Sequence, residues 1–178
     1  HQAVEGATVG PSGFAFRSGD DVLPGRGVPR GFAAVLSGHI HRAQVLRRDL
    51  GGRPLESPVL FAGSTDRISF AERFEPKGTF LLRVGANGAE GGAAKWEFRE
   101  LPVRAMTVVD VDPAGAGLRA RLRRALGPLA PGSLVRLRLT GDPGPEAFEA
   151  LRPESLRALA PAGTTVSVDW RPRPKARG

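Results

Sequence analysis

Apolar positions in the first hundred residues come in short runs broken by Gly, Pro and polar residues, the rhythm of strands rather than helices. Phe32 to Leu36 is a continuous apolar run, short enough for a strand buried on both faces. Ala43 to Leu50 is polar and apolar in turn, and Gly51-Gly52 reads as a hairpin turn. Pro58 to Ser64 predicts another short buried strand ending in small residues, while Thr79 to Val84 and Lys95 to Leu101 flank a Gly/Ala-rich loop and predict an antiparallel pair. Between Thr8 and Pro29, many Gly and Pro residues surround Phe14, Phe16, Val22 and Leu23, which predicts a long surface loop anchored by a few apolar contacts.

The last third changes rhythm. Thr107 to Asp112 reads as a strand. Leu118, Leu122, Ala125 and Leu126 then recur at helical spacing among Arg119, Arg121, Arg123 and Arg124, up to a stop at Pro131-Gly132. Leu134 to Leu139 sets Val135, Leu137 and Leu139 against Arg136 and Arg138, a strand with one basic face. Pro145 sits near a helix start, and Phe148, Leu151, Leu156 and Leu159 form an apolar stripe that Pro153 interrupts. Val166, Val168 and Trp170 alternate before the tail Arg171-Pro172-Arg173-Pro174-Lys175, whose composition predicts disorder. The order β-α-β-α-β predicts a separate small α/β module. The expected organisation is a strand-rich unit over 1–104, the α/β module over 105–170 and a basic tail over 171–178.

Charge sharpens that division. Residues 1–112 carry 14 Lys and Arg against 13 Asp and Glu, whereas residues 113–178 carry 12 against 5. A positive field concentrated in one third of the chain attracts a polyanion such as DNA, although Arg-rich usage also follows from Ala/Gly/Pro-rich composition alone. Cysteine is absent, which excludes disulfides and thiolate metal sites and agrees with a reducing cytoplasm. No apolar run approaches the ~20 residues that span a bilayer, and no signal-peptide pattern opens the sequence. Phosphate-loop, dinucleotide and Gly-x-Ser-x-Gly patterns are missing too, so ATP hydrolysis is not expected of these residues.

The candidate chemistry lies in Ser37-Gly38-His39-Ile40-His41. Alternate side chains of an extended segment share a face, so His39 and His41 can converge, and Gly38 permits close approach of backbone to a ligand. The third histidine is His1. Paired structural histidines are the plainer reading of the same pattern. Trp96 and Trp170 read as core residues rather than base-stacking platforms.

His1-Gln2 with Val4-Glu5-Gly6, Leu36-Ser37-Gly38-His39-Ile40-His41, and Ala62-Gly63-Ser64-Thr65-Asp66-Arg67-Ile68-Ser69-Phe70-Ala71-Glu72 followed by Lys77-Gly78 carry a resemblance. Together they resemble the SbcD-type DNA repair exonucleases, bacterial relatives of the Mre-type nuclease within the calcineurin-like metallophosphoesterases. The resemblance covers roughly residues 1–110, and the terminal module is similar to the family's DNA-capping domain in outline. It implies an α/β fold: the C-terminal half of a metallophosphoesterase β-sandwich plus a small α/β cap.

The resemblance further implies that His1 and His39 ligate one manganese ion and His41 the other, in a two-metal site that hydrolyses phosphodiesters; imidazole suits zinc or iron as well. Ser64 and Arg67 are candidates to hold a substrate phosphate, with Arg67 equally placed to pair with Asp66 or Glu72 and fix a loop, and Arg136 and Arg138 are candidate DNA contacts. The partners implied are DNA and, left open, an SbcC-type coiled-coil ATPase and a second copy of the chain. The family's Asp-x-His, bridging Asp and Gly-Asn-His motifs, which supply the general acid, precede the position of His1. The expectation is therefore a C-terminal portion that is inactive alone. A calcineurin-like phosphodiesterase acting on another substrate, and a non-catalytic DNA-binding relic, remain the alternatives.

Overall fold

The computed structural model describes residues 1–85 and 94–171. The expected tail after Arg171, and most of the Gly/Ala-rich connection (86–93), lie outside them. The chain divides into two compact units, His1–Val103 and Arg104–Gly178. It is mixed α/β, with several small sheets and few helices. Among the described residues no helix is long and apolar enough to cross a membrane.

In the first unit, β1 (Ala3–Val4) pairs in parallel with β4 (Val22–Leu23), and β2 (Thr8–Val9) forms a small hairpin with β3 (Phe14–Ala15). The segment expected as an irregular loop thus contributes strands. Three of the four apolar residues expected to anchor it do so, since Phe16, Val22 and Leu23 pack on a core of Ala3, Val4, Ala7, Val28, Ile40, Val59 and Phe61, whereas Phe14 is exposed and stands edge-on to the Phe16 ring. Beside it lies a three-stranded sheet of β5 (Val35–Ser37), β6 (Gln44–Arg48) and β7 (Pro54–Phe61), with β7 central. Its last residues, Val59, Leu60 and Phe61, are fully buried, as two covered faces require.

The Phe32 to Leu36 run departs from expectation. Strand pairing covers only Val35–Ser37, and Leu36 is 64 % exposed, as is Phe32 at 62 %. β5 is an edge strand, so one flank has no neighbour, and an apolar run alone does not say which faces are covered. The Gly51-Gly52 turn does join β6 to β7, with Gly52 at φ 81°. β8 (Gly78–Arg83) and β9 (Lys95–Glu100) form the expected antiparallel pair, from Gly78 opposite Glu100 to Arg83 opposite Lys95. Trp96 is half-buried, with the Arg47 guanidinium 4.8 Å from its ring centre.

The second unit is a parallel sheet in the order β10 (Met106–Val111), β11 (Leu134–Thr140), β12 (Thr165–Arg171). The crossovers are α1 (Leu118–Leu126) and the pair α2 (Ala147–Ala150) and α3 (Pro153–Leu159). Leu118, Leu122 and Leu126 join Val135, Leu137 and Leu139 in one buried cluster, so the alternation in β11 and the period in α1 meet face to face. The helix stops at Gly127 rather than at Pro131-Gly132; the Gly127 N–H closes the last turn on the Arg123 carbonyl. Pro153 splits the second apolar stripe by starting α3. Phe148 leaves the stripe altogether at 78 % exposed, and Trp170, expected in the core, is also exposed. With Val168 they line an open apolar groove of about 500 Å³.

Candidate functional site

Strand β5 delivers the histidines but does not contain them. It ends at Ser37, and the Ile40 N–H then bonds back to the Gly38 carbonyl at 2.9 Å across His39, whose φ is 71°. This is a γ-turn of the left-handed sense, a conformation that costs a residue with a Cβ about 1–3 kcal/mol and persists only where its surroundings impose it. The imposing contact is Ile40, buried in the core between the two imidazoles. Alternation therefore survives without strand pairing: Ile40 points inward, while His39 and His41 both line a cleft of about 220 Å³ with Val9, Gly10, Arg42, Ser69 and Glu72.

His1 reaches the same region from the start of the chain. Its ring stands edge-on to that of His39 with centroids 5.3 Å apart. Gly38 makes room for it, because a Cβ there would sit 2.9 Å from the His1 Nδ1. Ser37 fixes the neighbouring backbone by donating its hydroxyl to the Gln2 carbonyl at 2.9 Å. The structure thus brings His1 beside His39, and His39 beside His41. Among the described residues, however, no three His, Cys, Asp or Glu side chains form a ready metal cage.

Beneath His41 lies a network of charges that sequence reasoning did not single out as a unit. Lys77 is fully buried; its ammonium donates to the His41 carbonyl at 2.9 Å and to Glu75 Oε2 at 3.2 Å, and it forms an ion pair with Glu72 Oε2 at 2.8 Å, although that oxygen makes no well-directed hydrogen bond among the described residues. A buried ammonium is tolerated only with such pairing. Glu72 reaches His41 Nδ1 through its other oxygen at 3.1 Å. Glu75 meets Arg42 Nε at 3.1 Å, and Arg42 also donates to the Gly10 carbonyl. Two carboxylates and two cations balance. Burial pushes the Glu72 carboxyl up, but the Lys77 ammonium and the His41 ring prevail and hold it below the ordinary carboxylate value.

Ser64 and Arg67 sit in the loop under this network. The Ser64 hydroxyl donates to the Asp66 carbonyl at 2.8 Å, and Arg67 directs Nε and a terminal nitrogen to the Glu75 carbonyl at 3.3 and 3.1 Å. These contacts tie the loop to the Glu75 backbone. In the other unit, Arg136 and Arg138 share one face of β11 as expected. Arg138 makes a forked pair with Asp110, both bonds 2.7 Å, across the β10–β11 register.

Glu72 and Lys77 belong to a recognisable segment of the sequence, yet nothing there announces that they are buried. A Glu-x-x-Glu-x-Lys spacing over 72–77 was the available signal, and it reads equally as a solvated turn. No protein-family model matches the chain, and no curated protein matches it.

Proposed function

We propose that this chain supplies the histidine side of a metal-dependent phosphodiesterase acting on DNA, in the manner of the SbcD-type nucleases. The observation that carries the reading is the convergence of His39 and His41 on one cleft, with the His1 ring against His39. The donor set fits a divalent metal in part. Imidazole is a good ligand for manganese, zinc and iron, and the contact of His41 Nδ1 with Glu72 leaves Nε2 as its ligating atom. Three neutral rings are too few ligands and too little charge for two ions. The carboxylates at this cleft, Glu72 and Glu75, are engaged by Lys77 and Arg42, so the bridging carboxylate comes from outside these 178 residues.

Two bound divalent ions would activate water and stabilise both oxygens of an in-line attack on a phosphodiester. This chain's part is to hold the rings in place: Ile40 and the γ-turn set the backbone, and Gly38 admits His1. The basic C-terminal third supplies attraction to a polyanion. The test has two arms. The 178-residue chain alone is expected to cleave no DNA with manganese, whereas the reading frame extended upstream of His1 is expected to cleave it and to lose cleavage on His41→Ala. Cleavage by the short chain, or full activity of the extended His41→Ala variant, overturns the reading.

A further inference from the structure

We propose that Glu72 and the buried Lys77 are positioning residues that lock His41 in one tautomer and one orientation, with its Nε2 presented to the cleft. The inference deepens the metal reading and rests on it for its purpose, though its structural content can be tested without metal. A carboxylate can only accept, so the Glu72 contact at 3.1 Å requires the hydrogen of the neutral His41 ring to be on Nδ1. Ligand histidines in metal sites are commonly fixed through a carboxylate on their far nitrogen. Here the carboxylate itself is fixed. Lys77 grips Glu72 Oε2 at 2.8 Å and, with the same ammonium, the main-chain carbonyl of His41 at 2.9 Å.

Side chain and backbone of one histidine are therefore held from a single buried point. The Ser64 N–H adds a third tie, to the His41 carbonyl at 3.3 Å. Glu75 completes the arrangement by accepting from the same ammonium at 3.2 Å, and Arg42 balances its charge. Among the described residues His39 has no counterpart of this clamp; its orientation comes from the γ-turn and the His1 ring. The two ligands are thus fixed by different means, one by backbone geometry and one by a charge relay.

The experiment uses the full 178-residue chain without metal. Long-range proton–nitrogen correlation NMR reads the tautomer of His41 directly, and the Nδ1–H form is expected to dominate the neutral ring. Glu72→Gln, which keeps an acceptor oxygen, is expected to retain that form, while Glu72→Leu is expected to revert to the Nε2–H form favoured by free imidazole. An Nε2–H ring in the unmodified chain overturns the proposal outright, and that measurement does not depend on any variant folding. Calorimetric titration with manganese is the second arm, with the reading frame extended upstream of His1 as the parent so that the carboxylate side of the site is present: Glu72→Leu in that frame is expected to weaken binding about 10- to 100-fold, with Glu72→Gln close to the parent. Equal affinity in Glu72→Leu and the parent overturns the positioning role. Absence of manganese binding in the parent, with the tautomer as expected, overturns the metal reading but leaves the clamp supported.

Discussion

At the scale of single residues, two glycines bound the histidine segment and differ in what a methyl group would meet. A Cβ on Gly38 meets the His1 imidazole first, at 2.9 Å, whereas a Cβ on Gly63 approaches main-chain atoms, the His41 carbonyl oxygen at 2.8 Å and the Ala43 nitrogen at 2.9 Å. Gly63 also has φ 81°, where a side chain is strained. Gly38→Ala is therefore expected to leave stability within about 1 kcal/mol while displacing the His1 ring. Gly63→Ala is expected to cost about 2 kcal/mol or more, since neither main-chain neighbour can rotate away. Urea unfolding measures both costs, and loss of the His1–His39 ring contact in NMR reports the displacement. Equal stabilities for the two variants would contradict the contrast. Of this geometry the sequence disclosed the small residues and the imidazoles. It could not disclose that His39 leaves extended backbone, because that depends on Ile40 finding a core assembled from Ala3, Val28 and Phe61.

At the scale of elements, the β6–β7 hairpin shows how a turn is locked by one carboxylate. Asp49 Oδ1 accepts the Arg53 main-chain N–H at 2.9 Å and Oδ2 meets the Arg53 Nε at 2.9 Å, while Gly52 donates to the Asp49 carbonyl at 3.0 Å. The Arg53 N–H, with help from the guanidinium and against desolvation, holds the Asp49 carboxyl below its ordinary value of 3.8. A depressed carboxyl contributes stability that is complete above the unfolded value and is lost as pH falls through the folded one. The parent is therefore expected to lead Asp49→Asn in urea stability at neutral pH, and the lead is expected to shrink as pH drops below 3.8. A gap independent of pH would remove the carboxylate from the turn. The Gly-Gly dipeptide announced this turn. Asp49, four residues before its partner, did not, because its value depends on the hairpin already being closed. Elements with a strong period were legible for the opposite reason: α1 and β11 each carry their own apolar face. The β5 run and Phe148 were misread because apolar identity does not say whether a neighbour covers the residue.

At the scale of the whole molecule, each unit has its own buried cluster, and six of the eight excess positive charges lie with the second. Its arginines are not equivalent. Arg121 is turned onto the carbonyls of Asp112, Ala114 and Ala116, where it secures the loop before α1, and Glu146 already places a carboxylate at the Gly117 N–H. Arg138 is engaged by Asp110. Arg119, Arg123 and Arg124 stand exposed on the solvent side of α1, opposite its three buried leucines. Arg119, Arg123 and Arg124 therefore join Arg136 as candidates for tracking phosphates. Each phosphate neutralised on duplex DNA steepens the fall of log affinity with log salt by roughly 0.9. Replacing Arg119, Arg123 and Arg124 together with Ala is expected to flatten that slope by roughly two to three and to weaken binding alike for all sequences. Replacing the pair as Arg138→Met with Asp110→Asn, which leaves net charge unchanged, is expected to leave the slope as it was. Fluorescence anisotropy over a salt series distinguishes the two. A slope unmoved by the triple replacement would take α1 out of the interface, and one flattened by the paired replacement would return the DNA contact to the open face of the sheet.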